Sequence, residues 1–337
     1  MLPYNKLISI VIPTYNRSEK LEILLQSLAG QKYDRLKTEI IVVDDCSKDN
    51  TAEIVLRFKD MGVNYIMQDN SGPAAARNNG WKNSSGMFVG FLDSDVIAGD
   101  NYLSSAITYL ENNPGLDCVE GRTLSKIMDI KPTYFTHSVE NLNGGQYMTC
   151  NIFYSRFILE KIGGFDVEYH KPYIREDTDI AFAAIKAGGK TAFAENLVVY
   201  HPVYKSSYRD IFKLALQGIH EPRLFMKYPS LYFKKMKWLD GWFFPVYYLG
   251  YYIFPALAIP GFAMKDSWLV NTGFLFYLLS YCVTLYAQFR KKIVLPQEFL
   301  TAAALFTFIP YLRLYWLIIG FIKHSHLLFG GKFGKKN

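Results

Sequence analysis

Cysteine is scarce: there are four in 337 residues, and Cys46, Cys118, Cys150 and Cys282 form no CxxC pair. That excludes a disulfide scaffold and a cysteine zinc site, and it suits a reducing compartment. No GxGxxG follows the first apolar run, and no GxxxxGKS or GxxxxGKT occurs, so the dinucleotide fingerprint and the P-loop are both absent. The N-terminal part shows neither zinc-finger spacing nor a basic stripe, which argues against nucleic acid as a partner. Acidic residues are rare in one region. Residues 226–337 carry 13 Lys+Arg against 3 Asp+Glu, a balance of +10, whereas residues 1–225 carry 24 against 27, a balance of −3. Excess positive charge beside long apolar runs points to an anionic membrane surface. The opening run "LISIVIP" is too short and wrongly flanked for a secretory signal, so the N-terminal part is read as cytosolic.

What is present is alternation. Short runs rich in Ile and Val at 7–12, 38–43, 63–67 and 87–92 alternate with helix-like stretches at 17–30, 49–60 and 73–84. This predicts βαβ units and a mostly parallel sheet. The runs are continuously apolar, as in a sheet covered on both faces. Ligands of such sheets bind beyond the carboxyl ends of the strands. Polar residues gather there. The first run ends in Pro13-Thr14-Tyr15-Asn16-Arg17, the second in Asp44-Asp45-Cys46-Ser47, and the fourth in Asp93-Ser94-Asp95. The third leads to a segment running from Asn70 through Arg77. Further helices are expected over 100–113 and from Arg175 to Gly188-Gly189, and a strand over 191–202 with His201 at its exit.

Taken singly, each motif has a plain structural reading. Asp44-Asp45 and Glu176-Asp177 could cap helices, Arg77 could lie on a helix surface, and His201 could simply end a strand. An isolated acid pair such as Asp93 and Asp95 on a loop is likewise common and usually just solvated. Two carboxylates one residue apart repel each other unless solvent, an arginine or a metal ion lies between them.

Order changes the odds. "SIVIPTYNR", "IIVVDDCSKD", "GPAAARNNG", "FVGFLDSD", "IGGFD" and "REDTD" follow one another over roughly residues 7–202. Together they resemble family 2 glycosyltransferases of the GT-A fold. The resemblance implies an α/β fold, with a Rossmann-like catalytic domain over 1–205 and a mostly parallel sheet, followed by an α-helical membrane region. It implies a nucleotide-sugar donor, with Pro13, Thr14 and Tyr15 against the nucleoside and Asp45, beside Asp44, at the base. Arg77, Asp93 and Ser94 match donor-side positions. Asp95 matches a ligand of Mn²⁺ or Mg²⁺, with Asp93 and His201 as further candidates. Inverting relatives need a general base, and Asp177 matches it, with Glu176 its neighbour. Relatives often carry Arg on the helix after this pair; here Ala183 stands there.

The remainder sets the cellular context. Residues 206–237 are expected to form an amphipathic interfacial helix and linker. Residues 238–337 are expected to form a membrane domain. Its spans fall near 241–264 and 267–289, and a third segment over 298–322, broken by Pro310 and carrying Arg313, spans or re-enters. Trp238, Trp242 and Trp268 sit at the edges of the first two. Lys234, Lys235 and Lys237 before them and Arg290-Lys291-Lys292 after them place both clusters on the cytosolic side. The expected activity is inverting, metal-dependent sugar transfer from a nucleotide-diphosphate donor, with a UDP-sugar favoured, to a lipid or lipid-linked acceptor at the cytoplasmic membrane. A polyprenyl-phosphate sugar synthase is the alternative. The absence of QxxRW in "QGIHEPRLF" disfavours a processive synthase, and the intact carboxylates disfavour a non-catalytic scaffold.

Overall fold

A computed structural model describes residues 6–126, 133, 135–235, 248–289 and 295–329. The chain divides into two compact units. Unit 1 comprises residues 1–129 and 138–203, and unit 2 comprises 130–137 and 204–337.

Unit 1 is built on strands β1 (Lys6–Thr14), β2 (Thr38–Asp44), β3 (Val63–Met67), β4 (Gly86–Phe91), β5 (Ile97–Ala98) and β6 (Cys118–Lys126). A two-residue strand, β7 (Thr136–His137), belongs to unit 2, and β8 (Ile152–Ser155) and β9 (Thr191–Pro202) return to unit 1. The eight-stranded sheet runs β3-β2-β1-β4-β8-β6-β9-β5. Its first four strands are parallel, β6 is parallel to β9, and β8 and β5 pair antiparallel. Helices α1 (Ser18–Ala29), α2 (Thr51–Leu56), α3 (Pro73–Lys82), α4 (Tyr102–Asn112), α5 (Arg156–Ile162) and α6 (Glu176–Lys186) complete the unit.

The local causes are visible. Seven consecutive residues of β1 are buried, because helices cover both faces of the sheet. Helix α1 buries Leu21, Leu24, Leu25 and Leu28, an i, i+3, i+4, i+7 stripe facing Ile8, Ile10 and Ile12. Each such leucine contributes about 2 kcal/mol by leaving water. Helix α3 lies tight on β1 and β2 at Gly80, where any Cβ would collide with Val11. Connections leave β1 toward β2 on one side, while β4 flanks it on the other. The carboxyl ends of β1 and β4 thus frame a topological switch point.

Unit 2 is helical. A short antiparallel pair joins β7 to β10 (Tyr204–Lys205). Helices α7 (Tyr208–Leu216), α8 (Glu221–Lys227) and α9 (Pro229–Lys235) replace the single helix expected over 206–228. Pro222 and Pro229 lack the N–H that a continuous helix needs, and a 3₁₀ turn over 217–219 separates α7 from α8. Beyond them lie α10 (Leu249–Met264), α11 (Ser267–Phe289), α12 (Pro296–Phe306), α13 (Ile309–His324) and α14 (His326–Phe329). Helix α11, with 23 residues and mean hydropathy 1.4, is long and apolar enough to cross a bilayer by length and composition. Helix α10 has 16 residues, and the start of its expected span, 241–247, lies outside the described residues, with Trp238, Trp242 and Lys237. Arg290, Lys291 and Lys292 also lie outside them. Helices α12 and α13 are bent by 45° at a break of two residues. Tyrosine hydroxyls tie the unit together: Tyr252 donates to the Pro310 carbonyl at 2.8 Å, Tyr311 to that of Tyr251 at 2.8 Å, and Tyr281 to that of Ala303 at 2.9 Å.

Candidate active site

A crevice of about 430 Å³ opens at the switch point of unit 1. Pro13, Thr14 and Tyr15 from β1, Asp45 after β2, Gly72 at the start of α3, and Asp93 and Ser94 after β4 all line it, with Arg77 and Glu176.

The donor-side acids differ in their engagements. Asp45 is buried, and both its oxygens clamp the loop after β3. The Gln68 amide and the Ser71 N–H donate to Oδ1 and the Gly72 N–H to Oδ2, each at 2.8 Å. Asp44, predicted beside it at the base, is turned away from the crevice. It accepts from the Ser47 N–H at 2.8 Å and from the Tyr65 hydroxyl at 2.6 Å, so here it stabilises the β2 turn. Gly72 has φ of +87°, and a Cβ there would stand 2.6 Å from the Tyr173 ring. Tyr173 and Lys171, which sequence reasoning missed, border the crevice from the loop before α6.

The two acids after β4 pair with different arginines. Asp93 takes the buried Arg77 guanidinium on Oδ1 at 2.8 Å, and the same guanidinium reaches Glu176 Oε1 at 3.3 Å. Burial works against the Arg77 charge, but Asp93 and Glu176 more than offset it, and its pKa is raised. Asp95 Oδ2 takes Arg17 Nη1 at 2.9 Å, while its Oδ1 faces His201 Nε2 at 3.8 Å. Arg17 was legible in "PTYNR", yet no local rule sends its side chain to an acid 78 residues on.

Glu176 and Asp177 open α6, after Arg175 in a left-handed conformation at φ of +76°. The pKa of Glu176 is raised to about 7, by burial first and by the neighbouring Asp177 second, with Arg77 opposing both. Burial also raises that of Asp177, opposed by the Thr178 N–H, which donates to Oδ1 at 2.6 Å. Burial thus moves both acids upward from the usual carboxylate range.

Among the described residues, three buried polar atoms lining the crevice make no hydrogen bond: Thr14 Oγ1, Arg77 Nε and Glu176 Oε2. Buried polar atoms are usually satisfied, so three in one cleft point to a polar ligand. The donor set also suits a hard cation. His201 Nδ1 lies 3.1 Å from the Pro202 carbonyl, which can only accept. In the neutral ring this puts the proton on Nδ1 and leaves the Nε2 lone pair aimed at Asp95, the arrangement metal-binding histidines adopt. Among the described residues no three His, Cys, Asp or Glu side chains converge on one point. A cation held by Asp95 and His201 would therefore need phosphate or water to complete its shell. Asp93, also predicted as a metal contact, is held instead by Arg77.

An acid-edged crevice at the switch point of a largely parallel sheet defines the class of a nucleotide-binding α/β domain. The model for glycosyl transferase family 2 matches residues 9–163. The glucosyltransferase WfaP of Escherichia coli, named for UDP-Glc and α-D-GlcNAc-diphosphoundecaprenol, is 30% identical over 205 residues, covering 60% of this chain and 79% of that protein. The poly(ribitol-phosphate) β-N-acetylglucosaminyltransferase TarS of Staphylococcus aureus is 34% identical over 108 residues, covering 31% of this chain. The match spans about a fifth (19%) of TarS. Among solved structures, the mannosyltransferase PcManGT of Pyrobaculum calidifontis, in complex with GDP-Man and Mn²⁺, superimposes with a TM-score of 0.54 at 18% identity, over 96% of this chain and 88% of that one. The chain belongs to glycosyltransferase family 2, and its catalytic sheet has the GT-A fold.

Proposed function

We propose that this protein transfers a sugar, with inversion, from a nucleotide-diphosphate donor to a lipid-linked acceptor at the cytosolic face of a membrane. The observation that carries this reading is the crevice at the carboxyl ends of β1 and β4, where Arg77 links Asp93 to Glu176, the neighbour of Asp177. The nucleoside lies along Pro13, Thr14 and Tyr15, with Asp45 holding the loop that closes over the base. Asp95 and His201 would hold a divalent cation, Mn²⁺ or Mg²⁺; bound there, it would stabilise charge on the leaving diphosphate. Asp177 is the base. Its Oδ1 is occupied by Thr178, and Oδ2 takes the proton as the acceptor oxygen bonds to the anomeric carbon and the carbon–diphosphate bond breaks. No general acid is required.

A UDP donor and a diphospholipid acceptor are favoured by the likeness to WfaP, whose name specifies both. The outward apolar face of α11 and the lysines Lys234 and Lys235 at the end of α9 favour work beside a membrane.

The test is a panel of UDP- and GDP-sugars assayed for transfer into a membrane lipid extract, with and without Mn²⁺. Wild-type protein should transfer from a UDP-sugar, and Asp95→Ala should abolish both transfer and Mn²⁺-dependent UDP binding. Retained transfer by Asp95→Ala at saturating Mn²⁺ would remove the metal assignment. Absence of transfer from every nucleotide sugar would remove the activity.

A further inference from the structure

Asp95 has unlike neighbours on its two sides. On the Oδ1 side is His201 Nε2 at 3.8 Å; on the Oδ2 side are Arg17 at 2.9 Å and Lys20 Nζ at 3.9 Å. The histidine is fixed by the Pro202 carbonyl, but Arg17 is not fixed in the same way. Its side chain is 47% exposed, whereas that of Asp95 is 10% exposed. The backbone that carries Arg17 is nevertheless clamped. The Asn16 N–H donates to Ser47 Oγ at 2.8 Å, the Lys48 N–H to Asn16 Oδ1 at 2.7 Å, and the Ser18 N–H to Asp49 Oδ2 at 2.9 Å. A long, half-exposed side chain on a fixed backbone can therefore change partner while the loop stays in place. Arg17 also lines the crevice, so its alternative partner is whatever anion occupies the crevice.

We infer that Arg17 is an exchangeable counter-ion for Asp95, which it releases to a divalent cation when it moves onto the diphosphate of the donor. The inference rests on the donor-site reading above and adds to it a rule of order. A divalent cation arriving alone must displace a guanidinium from Asp95 while Lys20 repels it. A nucleotide diphosphate removes that conflict, because it offers anionic oxygens to the cation and to Arg17 together. Cation and nucleotide then strengthen each other's binding, and the coupling is reciprocal. Lys20, farther from Asp95, supplies a smaller share of the same barrier.

The experiment compares full-length wild-type protein with Arg17→Gln, Arg17→Lys and Lys20→Gln. Free Mn²⁺ is followed by its electron paramagnetic resonance signal, with and without UDP, and UDP binding by calorimetry, with and without Mn²⁺. Arg17→Gln should bind Mn²⁺ alone about fivefold more tightly and UDP with Mn²⁺ about tenfold more weakly, collapsing the coupling factor. Lys20→Gln should shift binding of Mn²⁺ alone in the same direction by less, and Arg17→Lys should fall between wild type and Arg17→Gln. Unchanged or weaker binding of Mn²⁺ alone by Arg17→Gln, with coupling intact, overturns the counter-ion role and leaves the donor site standing. Failure of the wild type to bind Mn²⁺ and UDP together overturns both.

Discussion

Unit 1 buries charge and unit 2 exposes apolar surface. Asp45, Arg77, Asp95 and Glu176 are all buried in the first, while Phe262 (70% exposed), Leu279 (55%) and Ile322 (67%) face outward in the second. Each buried charge in unit 1 has an identifiable partner, because burying an unpaired charge costs far more than its packing returns. The exposed side chains of α10, α11 and α13 have no such local answer. In water they would form an apolar patch of the kind that marks contact with a membrane or a partner.

The sharpest way to break this contrast is on the polar side. Asp177→Asn should lower turnover by about 10²- to 10⁴-fold while donor affinity stays within about twofold, the signature of a lost base. Initial rates and calorimetry separate the two. On the apolar side, Leu279→Arg places a charge near the middle of α11. Its insertion cost of about 3 kcal/mol should reduce flotation with vesicles by about 100-fold and leave UDP binding unaltered. Unchanged flotation would show that α11 does not enter the bilayer. Within unit 1, Gly72→Ala forces a left-handed residue to carry a Cβ against Tyr173, and about 1–2 kcal/mol of stability should be lost, along with donor affinity, because Asp45 holds that N–H. The smallest effect is a change of slope. The folded state holds the Glu176 proton more tightly than the unfolded chain does, so this group's stabilising contribution is complete below pH 4.5. It is lost as pH rises through about 7. Glu176→Gln should flatten the fall of the thermal midpoint between those values. An unaltered profile would show that Glu176 is ionised throughout.

Much of unit 1 was legible because its signals are local. Continuous Ile and Val runs, the i, i+3, i+4 leucines of α1 and the Gly188 stop of α6 each depend on neighbours in sequence. The strand-end polar residues were legible for the same reason. Partner choice was not. Arg17 reaches Asp95 across 78 residues, and Arg77 reaches Glu176 across 99. Asp44 and Asp45 look alike in sequence, but successive strand residues point to opposite faces, and only Asp45 lines the crevice. The stretch between β6 and β8 is organised by buried Glu120. This carboxylate accepts from the N–H groups of Gly145, Gln146 and Tyr147, a loop order that has no periodicity to betray it. In unit 2 the broken third segment was foreseeable from Pro310. The separation of α7 from α8 goes with Pro222 in the first turn of α8, a local signal that competes with the amphipathic pattern over 206–237.

The tyrosine ties of unit 2 bear on how the chain is made. Tyr252 and the Pro310 carbonyl lie 58 residues apart, and Tyr311 and the Tyr251 carbonyl 60. At about 5–20 residues per second of synthesis, the first partner of each pair waits roughly 3–12 s for the second. During that interval α10, interrupted by Pro255 and Pro260, has neither bond. Its early lodging therefore depends on α11, which follows at once and receives the Gly250 N–H on Ser280 Oγ at 2.9 Å. The Gly250–Ser280 bond therefore lies within a stretch made before α12 and α13, whereas the two tyrosine bonds need α13.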